Sequence, residues 1–222
     1  MTTSPPTLTD PALLRLLAWL SPAFPTGAFA YSHGLEWAVE AGDVGNEVEL
    51  GLWVADLLAH GAGRNDAILL RAAYRAEGVV ALAEVAALAR AMAPSRERRM
   101  ESVLQGAAFA AAAAVWGRAP EIADPPYPVA VGAYAQRHGV AEDAACLAFL
   151  QAFGANLVSA ALRLIPLGQT AGLRVVAALE PVVLEVAHAS RSAALDDIGG
   201  DCFRSDIGSM RHETQYTRLF RS

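Results

Sequence analysis

Apolar residues recur at intervals of three and four along most of this chain, the spacing of one face of an α-helix. Leu13, Leu14, Leu17, Ala18 and Leu20 form such a stripe after Asp10-Pro11, which reads as an N-cap and first-turn pair. The segment SPAFPTGAFAYSHG, residues 21–34, interrupts it with two prolines and a glycine. Ser32 is placed to cap a short helix through Glu36, Trp37 and Val39 that ends at Gly42. Asn46, with Glu49 three residues on, resembles a capping box and opens a helix through Leu58. Further helices are predicted from Asn65 or Asp66 to about Glu77, from Val79 to Met92 and from Pro94-Ser95 through Trp116. Two more follow from Pro128 to His138 and from Glu142 to Leu164, and Pro181 kinks or divides the stretch 170–194. Residues 196–201 form a loop rich in glycine and aspartate, and no alternating run is bounded by turn signals, so strands are not expected. The pattern predicts an all-α, single-domain helical bundle of about nine or ten helices over residues 1–222, ending in the arginine- and aromatic-rich segment 203–222. Residues 117–128 hold four prolines and make the clearest linker, but neither side of it looks self-sufficient.

Composition sharpens this picture. The hydrophobic fraction is 54% and the charged fraction 18%, so helices are buried on several sides or apolar surface is kept for partners. A net charge of −6 argues against nucleic acid as the main ligand. All 17 basic residues are arginine. Without lysine there is neither a Schiff base nor the lysine of a phosphate-binding loop, which excludes P-loop nucleotide hydrolases and pyridoxal-phosphate enzymes. Cys146 and Cys202 lie far apart and give no disulfide framework or zinc knuckle. The N-terminal MTTSPPTLTD has no basic region followed by an apolar run, so no signal peptide is read there and cytoplasm is the expectation. Ala144–Leu162 is uncharged over 19 residues, close to a membrane span. Gln151, Asn156 and Ser159 within it, and Glu142, Asp143 and Arg163 beside it, favour a helix buried among other helices.

No residue cluster makes a convincing catalytic centre. His33, His60, His138, His188 and His212 show none of the i, i+3 or i, i+4 pairings of a helical metal site. His212-Glu213 begins like H-E-x-x-H, but Tyr216 stands where the second histidine belongs. No serine sits in G-x-S-x-G. A metal-dependent hydrolase assembled from dispersed His33, His188, His212 and aspartates is the alternative class. No catalytic, cofactor or metal residue is assigned.

Two segments are richer than packing requires. Residues 21–42 place Phe24, Phe29, Tyr31 and Trp37 around two prolines and Gly27, either as a loop stapled onto the core or as a partner surface. Residues 205–222, SDIGSMRHETQYTRLFRS, set Arg211, Arg218 and Arg221 beside Tyr216 and Phe220, either as a solvated amphipathic end or as a docking element. Arginine and tyrosine are over-represented where binding energy concentrates.

Three co-linear blocks resemble the UreF family of urease accessory proteins. Ser21 through Tyr31, Ser32, Gly34, Leu35 and Glu36 is similar to its S-P-x-x-P-x-G-x-[FY] and S-x-G-L-E signature; RLIPLGQT at 163–170 resembles its R-L-x-P-L-G-Q block; and SMRHETQYTRLFRS at 209–222 resembles its C-terminal signature. His33 departs from the usual glutamine, and Ala28 and Ala30 are smaller than usual. The resemblance implies an all-α, non-catalytic, cofactor-free protein. It would bridge UreD (UreH in some organisms) and the nickel-carrying GTPase UreG during nickel delivery to apo-urease, and would itself be a homodimer, without nucleic acid or membrane. Carried onto this chain, it nominates Tyr31, Ser32, Glu36, Gln169, Ser209, Met210, Arg211, His212, Glu213, Tyr216, Arg218 and Phe220 as partner-binding residues. Within that set Arg218 is expected to fold back and donate to backbone carbonyls near Tyr31, since a planar five-donor fork suits several acceptors. Gln169 is expected to shape a helix break or to touch the GTPase. Gly154, Ala155, Val158 and Ser159 form a small-residue face for the monomer core or for a dimer.

Overall fold

The computed structural model describes residues 9–117 and 122–222. The expectations that fall on residues 1–8, and on 118–121 of the proline-rich linker, lie outside the described residues. The described chain is all-α, as its periodicity predicts. Eleven helices follow one another: α1 (Asp10–Trp19), α2 (Leu35–Glu40), α3 (Glu47–His60), α4 (Ala62–Arg75), α5 (Gly78–Ala91), α6 (Arg96–Ala113), α7 (Tyr127–Arg137), α8 (Glu142–Leu164), α9 (Gln169–Ala178), α10 (Glu180–Ala189) and α11 (Phe203–His212). Single 3₁₀ turns occupy Ala28–Ala30, Ala114–Trp116 and Leu195–Asp197. The stretch 170–194 divides at Leu179, with Pro181 in the first turn of α10, and the tail contributes a helix of its own.

Local chemistry accounts for most boundaries. The Asn46 side chain accepts from the amides of Val48 and Glu49, and Glu49 reaches back to the Gly45 amide at 2.8 Å. Ser95 caps α6 through the Arg98 amide, and Ser32 accepts from the Glu36 amide at 3.3 Å. Two starts are corrected. Thr9 is the N-cap residue of α1, and Asp10 lies in the first turn, where its charge complements the helix dipole without a capping bond. The fourth helix begins at Ala62, because α3 runs on to His60 and only Gly61 separates the two. Asn65 is therefore inside a helix, and its side chain accepts from the Gly199 amide at 3.1 Å.

Helix α8 is the axis of the bundle, packed against α2, α3, α4, α7, α9 and α10. It is long and apolar enough to cross a membrane, yet Phe149, Leu150, Phe153, Leu157 and Val158 point into the protein core. Gly154 belongs to that core as well, facing Leu58, Val54 and Leu179, whereas Ser159 on the same stretch is exposed. The closest pairing is α4 against α7. There a methyl group on Gly132 would sit 2.1 Å from the Leu70 carbonyl oxygen, so only glycine lets the backbones meet. Trp19 anchors one end, with Phe109, Trp116 and Tyr134 edge-on around it at about 6 Å. The buried Arg71 ties three helices together, donating to Glu142, to Ser190 and to the Ala187 carbonyl. At the other end, α11 lies across the start of α2 and the first turns of α6. That crossing brings together residues as far as 176 positions apart in the chain.

Candidate functional site

The site is a clasp between loop 21–34 and the last residues of the chain, seated on one face of α6. Gly34 makes it sterically feasible. Its φ is +77°, and a side chain there would meet the Ser209 backbone at 2.6 Å, so α11 rests directly on the loop. Below this contact Ser95 and Ser209 share a hydroxyl–hydroxyl bond. From that point the tail runs back over α2 as irregular chain. The Arg221 amide donates to the Ala30 carbonyl at 2.8 Å, and the Ser32 amide donates to the Ser222 carbonyl at 2.8 Å. The Ser32 hydroxyl donates to that same carbonyl oxygen.

Three glutamates, none more than 7% exposed, hold the clasp from within. Glu36 accepts from the Leu219 amide at 2.6 Å and the Phe220 amide at 2.9 Å, and also faces His212 Nε2 at 3.1 Å. Glu97 faces His212 Nδ1 at 2.6 Å and accepts from Arg218 Nη1 at 2.7 Å. The His212 ring is fully buried, with a carboxylate on each nitrogen. Glu101, one turn further along α6, takes His33 Nε2 at 2.7 Å, the Ser222 hydroxyl at 2.6 Å, Gln105 at 2.9 Å and an ion pair with Arg98. An isolated buried carboxylate is strongly unfavourable, so each of these donors contributes to holding the segment that supplies it. Burial alone would raise the Glu101 carboxyl; Arg98 and His33 overcome it and hold it at about 2.

Under the clasp lies a polar cavity of about 30 Å³, lined among others by Tyr31, His33, Asp66, Arg98 and Glu101. It has room for about two water molecules. Asp66 keeps some accessible surface because it lines this cavity, although protein surrounds it. Burial pushes its carboxyl up to about 7, with Glu101 adding to the effect and Arg98 opposing it. Burial, and then Arg98, lowers His33, whose Nδ1 has no hydrogen-bond partner among the described residues. Among the described residues no group of three His, Cys, Asp or Glu side chains is arranged to hold a metal ion. His33 and His212 do not join as one ligand set; each takes its own carboxylates, at Glu101 and at Glu36 and Glu97, and His188 is exposed on α10.

The twelve nominated residues divide by exposure. Tyr31, Ser32, Glu36, Ser209, His212 and Phe220 are buried, and in the folded chain they build the clasp. Met210, Arg211, Tyr216 and Arg218 face outward on it, with Tyr216 fully exposed, and Glu213 is half-buried. Gln169 is exposed at the start of α9, which packs mainly on α3, α8 and α10, so it stands apart from the clasp. The expected role of Arg218 is also corrected. Its guanidinium meets Glu97, a buried charge that attracts it more strongly than neutral carbonyls do. The arginine that grips the early loop is Arg163 of the RLIPLGQT block. It donates to the Phe29 carbonyl at 2.8 Å and lies between the rings of Phe29 and Phe220, 3.9 and 4.0 Å from their centroids. The three sequence blocks therefore meet at one place.

Glu97, Glu101 and Arg163 are the participants that sequence reasoning missed. A signal for the glutamates was present: the buried stripe of α6 that holds Phe109 and Ala113 continues backwards through Gln105, Glu101 and Glu97 at four-residue steps. Polar residues in register with a core stripe mark a polar interior.

Comparison with known proteins gives a consistent result. The family model described as UreF matches residues 44–180. The chain is 54% identical over 222 residues to "Urease accessory protein UreF" of Xanthobacter autotrophicus, covering 95% of this chain and 91% of that protein. It is 51% identical over 225 residues to the protein of that name from a Bradyrhizobium species, covering 97% and 94%. With the one from Cereibacter sphaeroides it shares 53% over 212 residues, covering 95% and 99%.

Proposed function

Because the chain belongs to the UreF family of urease accessory proteins, we propose that it acts as a non-catalytic adaptor in the nickel-dependent maturation of urease. It bridges UreD (or UreH) and the GTPase UreG, so that nickel reaches apo-urease as cargo of the assembly. It works in the cytoplasm and as a homodimer within that complex.

The observation that carries this reading is the division of labour within the tail. Its inward side chains and amides are committed to Glu36, Glu97 and Glu101, while Met210, Arg211, Tyr216 and Leu219 are held outward. A segment already fixed in place loses less entropy when a partner docks, so its contacts convert more fully into affinity. Phe29, 76% exposed and stacked on Arg163, extends the same surface onto the early loop. The loop and the final residues paired with it take UreG; the end of α11 and the residues that follow it directly take UreD. Gln169, exposed at a helix start on another part of the molecule, is positioned to touch the GTPase and influence hydrolysis only if UreG reaches α9 as well.

Co-purification with UreD and UreG tests the adaptor. Met210 and Tyr216 are exposed, so Met210→Ala/Tyr216→Ala keeps the melting temperature of the isolated chain. Recovery of the partners should fall roughly tenfold or more, the size expected for aromatic anchors at an interface. Normal recovery of both partners by this variant would remove the tail from the docking surface.

A further inference from the structure

Side-chain pairing of the arginines is uneven across the molecule. Most described arginines are engaged: Arg71 and Arg75 with Glu142, Arg174 with Glu47, Arg191 with Asp143, Arg204 with Asp43. Others donate to backbone carbonyls, as Arg15 does to His138. Among the described residues, Arg96, Arg99, Arg137, Arg211 and Arg221 are exposed and make no side-chain hydrogen bond or ion pair. Arg137 lies at the end of α7. Arg96, Arg99 and Arg211 lie where the first turns of α6 meet the last turn of α11, and Arg221 lies on the docked tail beside Ala30. The proximity of α6 and α11 is recorded by the Glu213 carboxylate, which accepts from the Arg96 amide at 2.8 Å, and by the Ser95–Ser209 bond beside it.

The carboxylates of this region are already occupied. Glu36, Glu97 and Glu101 point inward and are saturated by the clasp, Glu213 is spent on the amides at the start of α6, and Glu40 accepts from Gln215. Asp206 on α11 is partly buried and lies within the field of Arg98. A chain of net charge −6 thus presents a face of arginines without side-chain partners, together with the exposed Met100, Met210, Tyr216 and Leu219. Arginine beside exposed aromatic and thioether side chains is the composition of a protein-binding surface, and planar guanidinium groups match carboxylates in pairs.

We propose that this α6–α11–tail face docks a carboxylate-bearing protein surface, on which acidic residues alternate with apolar ones. The proposal rests on the adaptor function above and identifies the chemistry of the partner at its UreD side. The apolar residues between the arginines favour a protein over a nucleic acid, whose backbone offers phosphates but no apolar side chains to cover Met210 and Leu219. Long-range attraction between these arginines and the partner's carboxylates sets encounter rate and orientation, and salt screens it, so the complex is salt-sensitive.

The test uses the full chain and purified UreD in a titration at about 50 mM and about 500 mM salt. The wild-type complex is expected to weaken about tenfold across that range. Arg96→Glu/Arg99→Glu/Arg211→Glu should weaken it about a hundredfold or more at low salt, with an unchanged circular dichroism spectrum, while Arg137→Glu should match wild type. Should the triple reversal disturb folding, Arg96→Gln/Arg99→Gln/Arg211→Gln replaces it, with at least about a tenfold loss expected. Poly-L-glutamate should displace UreD and a single-stranded oligonucleotide should not. If UreD binds but neither salt nor charge substitution changes its affinity, the acidic-partner proposal is wrong and the adaptor function stands. If wild type fails to bind UreD, the adaptor reading fails and this inference falls with it. Displacement by the oligonucleotide as readily as by poly-L-glutamate would overturn the choice of a protein partner.

Discussion

A single carboxyl illustrates how far position outweighs residue type in this protein. Asp66 and Glu101 border the same cavity, yet burial raises one to about 7 while Arg98 and His33 hold the other at about 2. The difference is partnership: Glu101 has four donors, and the Asp66 carboxyl has none among the described residues. The consequence for stability has a definite sign. Unfolded Asp66 titrates near 3.8 and folded Asp66 near 7, so the unfolded state releases its proton first and stability falls as pH rises between those values. Above the upper value the full cost of the buried acid is present. Asp66→Asn removes it, with an expected gain of roughly 2–4 kcal/mol at alkaline pH. Thermal unfolding at pH about 8 should show a midpoint raised by about 5–10 °C, and at pH about 4 almost no change. An equal shift at both pH values would contradict the assignment. Asp66 was legible in the sequence only as a candidate helix start, because its environment is assembled from α6, α7 and the early loop.

Helices were the most legible feature, since their signals are local. The Asn46 and Ser95 caps, the proline at the head of α10 and the apolar stripe of α8 all behave as their spacing implies. What spacing does not convey is how closely two helices approach. The small-residue stretch around Gly154 looked suited to close contact, but its neighbours there are ordinary side-chain carbons at 3.7 Å and beyond. The intimate contact is at Gly132, inside the plain sequence VAVGAYA, against the Leu70 carbonyl. Gly132→Ala should therefore be destabilising by about 2–4 kcal/mol, even though alanine improves helix propensity by ~1 kcal/mol. Gly51→Ala in α3, where nothing lies within 4 Å, should show only the propensity gain. Denaturant midpoints compare the pair directly; a stabilised Gly132→Ala would mean that α4 and α7 separate at little cost.

Seen as a whole molecule, the chain is a helical bundle closed by its own tail. The closure predicts a cooperative unit in hydrogen exchange. The amides of Ser32, Leu219, Phe220 and Arg221, which donate to Ser222, Glu36 and Ala30, should exchange together and slowly in the isolated chain. Glu36→Gln puts a donor where one of two acceptors was needed, leaving a buried amide unpaired at a cost of ~1–3 kcal/mol. All four amides should then exchange roughly five- to a hundredfold faster, with core helices unaffected. Fast exchange of the four in wild type would show that the tail needs a partner to dock.

Sequence alone determined the helical class, most helix starts, the exclusion of P-loop and pyridoxal chemistry, and the three segments that matter, because each depends on residue type or on neighbours within one or two turns. Tertiary structure decided which of those residues are walls and which are surface. His212 meets Glu97 across 115 positions and Glu36 across 176, and no local pattern encodes a pairing at that separation. The same packing turned half of the nominated contacts inward, gave Arg163 the grip expected of Arg218, and left Arg96, Arg99, Arg211 and Arg221 facing out. A charge is buried or presented according to what packs over it, and that is settled only when the distant parts of the chain have met.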